Sequence, residues 1–170
     1  MKILNTPPGA RRSLMIGLSC LAMSFAAAAL YGQQRYSPPL RTMRVTSAFG
    51  PRVHPISGNH SLHRGTDLAA RSDSVYSVLE GTVHQTGHHP ELGNYVHMRH
   101  GALDITYAHL SAVMVRARQQ ITAGQHIAIP GAAGRVTGEH LHLSVRFQGR
   151  YVDPMRLLWV VRKNSNLKLR

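Results

Sequence analysis

The sequence contains a single cysteine, Cys20, which lies in an apolar run near the N-terminus. One cysteine forms no intrachain disulfide and supplies no thiolate cluster for a structural metal site. Any metal ion held by this chain must therefore be bound by histidine and carboxylate side chains. Twelve histidines and seven acidic residues in 170 supply such ligands.

Acidic and aromatic residues are also scarce. Seven Asp and Glu stand against twenty Lys and Arg, a formal net charge of +13, and aromatic residues make up 6% of the chain. Such a charge favours a polyanionic partner, namely a nucleic acid, an anionic membrane or a charged cell-wall polymer. Interleaved aromatic residues and a recognition helix, which are typical of nucleic-acid binders, are missing from the sequence. We therefore predict no nucleic-acid partner.

The N-terminal residues have the pattern of a targeting segment. A positive flank with Arg11 and Arg12 precedes an apolar run over residues 14–30, with small residues near its end that suit a cleavage site. We predict a signal peptide over residues 1–30 and hence an exported protein of the periplasm or cell envelope, or a secreted one. The alternative is an uncleaved anchor, and membrane contact is expected only through this segment.

Helical periodicity is missing from most of the remaining chain, where short β-type runs alternate with glycine-containing turns. The predicted strands cover residues 43–49, 75–79, 82–86, 94–99, 104–109, 127–129 and 140–147. Short strands at close spacing predict an all-β, mostly antiparallel domain of two sheet layers. A helical turn is expected over residues 155–161.

The same patterns divide the chain after the signal peptide into three parts. Residues 31–41 are predicted to form an extended, proline-containing linker. Residues 42–161 are predicted to form the folded domain, and residues 162–170 a basic, frayed tail.

The strongest candidate site begins on the last predicted strand, residues 140–147. Successive side chains of a strand point to opposite faces, so His140 and His142 share one face. The other face carries an apolar row of Leu141, Leu143, Val145 and Phe147. Two imidazoles held side by side suit a metal ligand with a proton-transfer partner, although a solvated pair of histidines gives the same pattern.

A second histidine with a carboxylate lies upstream, in the segment His63-Arg64-Gly65-Thr66-Asp67. The glycine between them lets the chain turn both side chains toward one ion. With His142, the set contains two imidazoles and one carboxylate. Three protein ligands leave one tetrahedral position open, which is the arrangement of catalytic rather than structural zinc.

A zinc peptidase also needs a base and a group that stabilises the oxyanion. The sequence contains no His-Glu-x-x-His segment, so no glutamate base stands in that position. His109, at the end of a predicted strand, and His140 are the available substitutes. The residue pattern does not show which of these two histidines acts as the base and which stabilises the oxyanion.

From about residue 44 to residue 158, the sequence resembles the lysostaphin/LytM-type zinc endopeptidases, which cut bacterial peptidoglycan. The matching segments follow the order found in that family and cover nearly all of the predicted mature chain. They are SAFGPRVHPISG (47–58), HRGTDL (63–68), GTV (81–83), GNYV (93–96), YAHL (107–110), AGQ (123–125), GAAGRVTG (131–138) and HLH (140–142).

The resemblance implies that His63, Asp67 and His142 bind one zinc ion. It also implies that His109 and His140 are the catalytic histidines beside the reacting water. The implied fold is of the duplicated-hybrid-motif, LytM-like type, with a narrow groove whose loops grip an extended peptide.

Five further positions bear on substrate contact. Arg52 and His54 belong to the first matching segment and are predicted to contact substrate, with a role in forming the turn as the alternative. Tyr107 is predicted to line the groove and contact substrate, with the position in the core that is usual for a tyrosine as the alternative. The family usually has proline where this chain has Glu139, and glutamate where it has Ser144. Neither is a ligand position, so the differences concern substrate preference or the surroundings of the metal.

The expected function is that of an exported zinc-dependent endopeptidase that hydrolyses peptide bonds in peptidoglycan, with D,D-cross-links of stem peptides as the favoured bond. Peptidoglycan is the expected partner, and the positive charge adds attraction to other anionic polymers of the envelope. The alternative is a non-catalytic LytM-like module that binds or activates envelope machinery. Such modules lack part of the five-residue set that this chain keeps.

Overall fold

The computed structural model describes residues 35–53, 58–71 and 73–166. The predicted signal peptide and His54 lie outside these residues. The strands are β1 (Val45–Ser47), β2 (Gly50–Val53), β3 (His60–His63), β4 (Thr66–Ala69), β5 (Val75–Tyr76), β6 (Gly81–His89), β7 (Gly93–His100), β8 (Leu103–Val113), β9 (Gln120–Ile121), β10 (His126–Pro130), β11 (His140–Phe147) and β12 (Arg150–Val152). One helix, α1 (Pro154–Asn166), follows them. Within the described ranges, no helix is long and apolar enough to cross a bilayer.

Ten of the strands form one sheet. Its main path runs β1-β4-β11-β8-β7-β6-β9, while β12 pairs with β11, and β10 joins β5 to β8. Strands β2 and β3 form a separate two-stranded sheet. All these pairings are antiparallel, which confirms the predicted fold class.

The core lies on one face of β8 and β11. Leu141 and Leu143 are completely buried there, as the alternation along β11 predicts. The same buried cluster contains Val75 of β5, Ile127 of β10 and Val161 of α1, so these elements contribute side chains to one core. Burial of each such side chain contributes roughly 1.5–3 kcal/mol. The opposite face of β11, which carries the histidines, is left for the groove.

The sequence predicts the long strands better than the short ones. Strand β11 has its predicted bounds, and β6, β7 and β8 are each longer than predicted because their hairpin partners extend the pairing. The patterns do not predict β2, β3, β4, β9 and β12. In β4 three successive residues are buried, so this short strand shows no alternation that could identify it.

Both ends of the domain extend further than predicted. Leu40, expected in the linker, is completely buried in the core. The carbonyl of Pro39 accepts a hydrogen bond from the N–H of Tyr76 at 2.9 Å, so the packed domain begins before residue 42. Helix α1 continues to Asn166, well into the predicted tail.

Tyr107 lies in the core and does not line the groove. Its side chain is completely buried, and its Oη accepts a hydrogen bond from the N–H of Val78 at 2.9 Å. Residue 107 is two positions from Ile105 on β8, so both side chains point to the core face. Burial raises the pKa of Tyr107 to about 12. The prediction that Tyr107 contacts substrate is therefore wrong.

We expect Tyr107→Phe to lower stability and leave catalysis unchanged. The substitution removes the acceptor of the Val78 N–H inside the core, and a buried donor without a partner costs about 1–3 kcal/mol. Urea unfolding measures this loss, and activity is compared per folded molecule. An unchanged unfolding midpoint together with a fall in activity would show that Tyr107 acts on substrate after all.

Candidate metal centre and active-site groove

Three side chains from β3, β4 and β11 converge on one point. His63 Nε2 lies 3.2 Å from Asp67 Oδ1 and 3.2 Å from His142 Nδ1. Asp67 Oδ1 lies 2.7 Å from His142 Nδ1. One ligand atom from each residue lies within 4.8 Å of the others, close enough for all three to hold one metal ion. Two imidazole nitrogens and a carboxylate oxygen fit zinc, whose bonds to such atoms are about 2.0–2.2 Å long.

The pairing of β4 with β11 explains this convergence. Asp67 and His142 are opposite each other in the antiparallel register, so their side chains project from the same face. His63, at the end of β3, is 6% exposed. Gly65 allows the chain just before β4 to approach the His142 ring closely, because a Cβ at this position would lie 2.5 Å from the ring.

Contacts behind the ligands orient them. His63 Nδ1 donates a hydrogen bond to the carbonyl of Ala48 at 2.8 Å, which directs the lone pair of Nε2 toward the ion. Arg52 Nη1 lies 3.6 Å from Asp67 Oδ2 and also contacts Ser47 Oγ. Arg52 therefore supports a candidate metal ligand, while its contact with substrate stays a prediction.

The protonation states of the ligands suit a cation. Burial by itself would raise the pKa of Asp67, but the adjacent imidazoles of His142 and His63 outweigh this effect and hold the pKa well below its usual range. Burial lowers the pKa of His142. A charged carboxylate beside a neutral imidazole is the form in which both residues bind zinc.

His109 and His140 lie beside the three ligands. Their ring centroids are 4.7 Å apart, and the centroid of His109 is 5.6 Å from that of His142. His109 Nδ1 donates to the carbonyl of Ala133 at 2.9 Å, and His140 Nδ1 donates to the carbonyl of Gly138 at 2.8 Å. With the hydrogen of a neutral ring on Nδ1, the lone pair lies on Nε2.

The backbone of His109 adopts a conformation that is rare for residues other than glycine. Its φ is +62°, in the left-handed region, and its N–H donates to the carbonyl of Leu92 at 2.8 Å. Ala133, which accepts from the ring, packs so tightly against Gly93 that a Cβ on the glycine would overlap it. Strain of this kind, at a point where polar side chains meet, is typical of a functional residue. Burial lowers the pKa of His109 to about 4, so the ring is neutral near pH 7.

A groove runs over these histidines. Thr106 of β8 and Ser144 of β11, which pair in register, form part of its floor. Glu139 is exposed and does not line it. The walls include His89, Glu91, Leu92, Arg64, Arg135, Val136, Thr137 and Tyr151.

The structure brings most of the predicted site residues together. Those that line the groove are Arg52, His63, Asp67, His109, His140 and His142. The sequence patterns miss Arg64 and Tyr151. The position of Arg64 directly after His63 could have indicated that it lies in the groove. Tyr151 belongs to no motif, so nothing in the sequence indicated it.

Comparison with known proteins gives one consistent result. The model of the family described as peptidase family M23 matches residues 61–154. The peptidoglycan DD-endopeptidase ShyA of Vibrio cholerae is 41% identical over 126 residues, which cover 72% of this chain and 29% of ShyA. The chain thus spans less than a third of the length of the curated relatives it matches.

Two solved structures share the fold. A zinc-containing peptidase from Vibrio cholerae superimposes with a TM-score of 0.64 at 37% identity, covering 72% of this chain and 40% of that one. The catalytic domain of the antimicrobial peptidase lysostaphin from Staphylococcus simulans gives a TM-score of 0.62 at 25% identity, covering 69% of this chain and 92% of that one.

Proposed function

Because the chain belongs to peptidase family M23, we propose that it is an exported zinc endopeptidase that hydrolyses peptide bonds in bacterial peptidoglycan. The observation that carries this proposal is the convergence of His63, Asp67 and His142 on one point of a groove. Two further histidines stand beside that point with their Nε2 atoms available to a proton.

His63, Asp67 and His142 would hold the ion at the groove, and a zinc ion with three protein ligands would keep a place for water. Zinc held there supplies Lewis acidity and makes water a nucleophile near neutral pH. Asp67 contributes negative charge next to the cation, and Arg52 keeps that carboxylate in place. The groove admits an extended peptide across the same point.

His109 and His140 handle the proton in this proposal. A neutral ring accepts the proton of the attacking water at Nε2, and the charged ring returns it to the leaving amine. The other ring, when it carries hydrogens on both nitrogens, donates from Nε2 toward the oxyanion as negative charge develops. The bonds from Nδ1 to Ala133 and Gly138 keep both rings aligned throughout.

The bond proposed for cleavage is the D,D-cross-link between stem peptides. The support is the 41% identity to ShyA, whose name gives this activity. Residues 1–30 would direct the protein to the envelope, either as a signal peptide that is then cleaved off or as an anchor that stays in the membrane. The net charge of +13 would concentrate it near the anionic wall and its polymers by long-range attraction.

Purified protein should therefore convert cross-linked muropeptides of isolated sacculi into uncross-linked ones. A chelator should stop the reaction and added zinc should restore it, because the water needs the ion for activation. Muropeptide chromatography with mass spectrometry measures the products and identifies the bond. Digestion that survives chelation would contradict zinc catalysis. Binding to sacculi without digestion at full zinc loading would instead support the non-catalytic module.

A further inference from the structure

Arg64 carries a positive charge that no acidic side chain balances within the described residues. It is exposed and lines the groove. Arg52, by contrast, is paired with Asp67. Arg135 on the groove wall has no acidic partner either, but no aromatic ring among the described residues holds its guanidinium as Tyr151 holds that of Arg64.

The strand order explains where Arg64 points. Strands β4 and β12 occupy the same edge of β11 one after the other, β4 along residues 140–143 and β12 along residues 145–147. Arg64 precedes β4 at the junction between them. Its Cζ lies 5.5 Å from the centroid of the Tyr151 ring on β12, a cation–π distance that holds the guanidinium at this end of the groove.

Tyr151 lies between two guanidinium groups. It is opposite Arg146 in the register of β11 and β12, and Arg146 Cζ is 5.9 Å from the ring centroid. Arg146 is also 3.7 Å from Asp104, so its charge has a partner. Tyr151 is 40% exposed, which leaves the outer edge of the ring and Arg64 accessible to a ligand.

The floor between the metal ligands and Tyr151 carries hydroxyl groups. Along β11, the groove face presents His142, then Ser144, then Arg146, with Thr106 of β8 opposite Ser144. A rise of 3.2–3.4 Å per residue places Arg146 about 13 Å from His142. Ser144 and Thr106 carry no negative charge. Neither would therefore compete with the carboxylate of a bound peptide for Arg64.

We propose that Arg64, stacked on Tyr151, forms a carboxylate-binding subsite on the β12 side of the metal ligands. A guanidinium binds a carboxylate through two parallel hydrogen bonds, and packing against a ring limits the freedom it must lose on binding. The groove then selects acidic peptides, those with a side-chain or terminal carboxylate on this side of the cleaved bond. This inference rests on the proposed function, since it assigns the carboxylate to the peptide being cleaved.

The test compares two synthetic cross-linked peptides that are identical except that the carboxylates flanking the cross-link are amidated in one. The wild-type protein should favour the acidic peptide by about tenfold in kcat/KM, a modest factor because water screens an exposed guanidinium. Arg64→Gln should remove the preference by losing activity on the acidic peptide alone. Arg64→Glu should reverse it through repulsion.

Arg150→Gln is the matched control. Arg150 precedes Tyr151 on β12, so its side chain points to the other face, and its loss changes the net charge equally. This variant should keep the tenfold preference. Absence of a preference in the wild-type protein, or its persistence in Arg64→Gln, would overturn the subsite.

A binding measurement separates the subsite from the proposed activity. Calorimetry with the zinc-loaded His109→Ala protein should show tighter binding of the acidic peptide, and Arg64→Gln in that background should abolish the difference. If binding shows the preference while wild-type protein cleaves neither peptide, the proposed function fails and the subsite stands. Equal binding of both peptides would refute the subsite whatever the activity.

Discussion

The His142→Ala protein will lose both bound zinc and activity, whereas His109→Ala will keep zinc and lose activity by about 10²–10⁴-fold. His142 Nδ1 is one of the three converging ligand atoms, so its removal leaves two ligands for the ion. His109 lies outside this set and is placed to transfer a proton or stabilise charge, and positioned groups of this kind contribute factors of that size. Elemental analysis of the purified variants measures zinc, and muropeptide release measures activity.

His84→Ala provides the control for the loss of an imidazole. His84 is exposed on β6 and does not line the groove, so zinc content and activity should both match the wild type. Equal zinc retention in His142→Ala and His109→Ala would contradict the division into a ligand and a proton-transfer residue. Loss of zinc from both would place His109 among the ligands.

Gly65→Ala should damage the site although it removes no functional group. The new Cβ would lie 2.5 Å from Cε1 and Nε2 of His142 and 2.6 Å from the carbonyl oxygen of Leu143. Both distances are shorter than any ordinary contact, so either the ligand ring or the pairing of β4 with β11 must shift. Overpacking of this kind costs about 1–3 kcal/mol, and disturbing what orients a zinc ligand lowers affinity about 10–100-fold.

Gly138→Ala makes the same chemical change two residues before His140. Its added Cβ would have no neighbour within 4 Å, so zinc affinity and stability should stay at the wild-type level. Competition with a chromogenic chelator measures affinity, and urea unfolding measures stability. If Gly65→Ala bound zinc as tightly as Gly138→Ala, the tight packing around the His142 ring would have no role in holding the ion.

The candidate metal ligands were predictable because their spacing and alternation are local properties of the sequence. His140 and His142 share a face of β11 for the same reason that Leu141 and Leu143 share the core. The pairing of Asp67 with His142, in contrast, depends on a strand contact across 75 residues. The chemistry of a combined ligand set and the resemblance to the lysostaphin/LytM-type family indicated it in advance.

The different positions of Tyr107 and His109, one in the core and one in the groove, have a physical cause in the backbone of His109. The two residues have the same parity on β8, so alternation places them on one face, and a groove position for His109 then suggests the same for Tyr107. The positive φ of His109 interrupts the alternation at this residue. Its side chain enters the groove while Tyr107 stays in the core. No residue pattern signals such a conformation in a histidine.

The contacts that orient His63 and Asp67 could not be predicted from the sequence either. The carbonyl of Ala48 and the guanidinium of Arg52 reach His63 and Asp67 from the segment that contains β1 and β2. A backbone carbonyl carries no residue-specific signal, and a loop arginine has many possible partners. Their roles follow only from the three-dimensional structure.

Strand β11 ties the alignment of the active site to the folding of the whole domain. A slip of one residue against β4 or β8 would bring its leucines to the groove and its histidines into the core. Such a molecule would lose its central packing together with its ligands, so it would not persist as a soluble, misaligned form. Soluble preparations should therefore consist of molecules with correctly registered ligands, and differences in specific activity between preparations should follow their metal content.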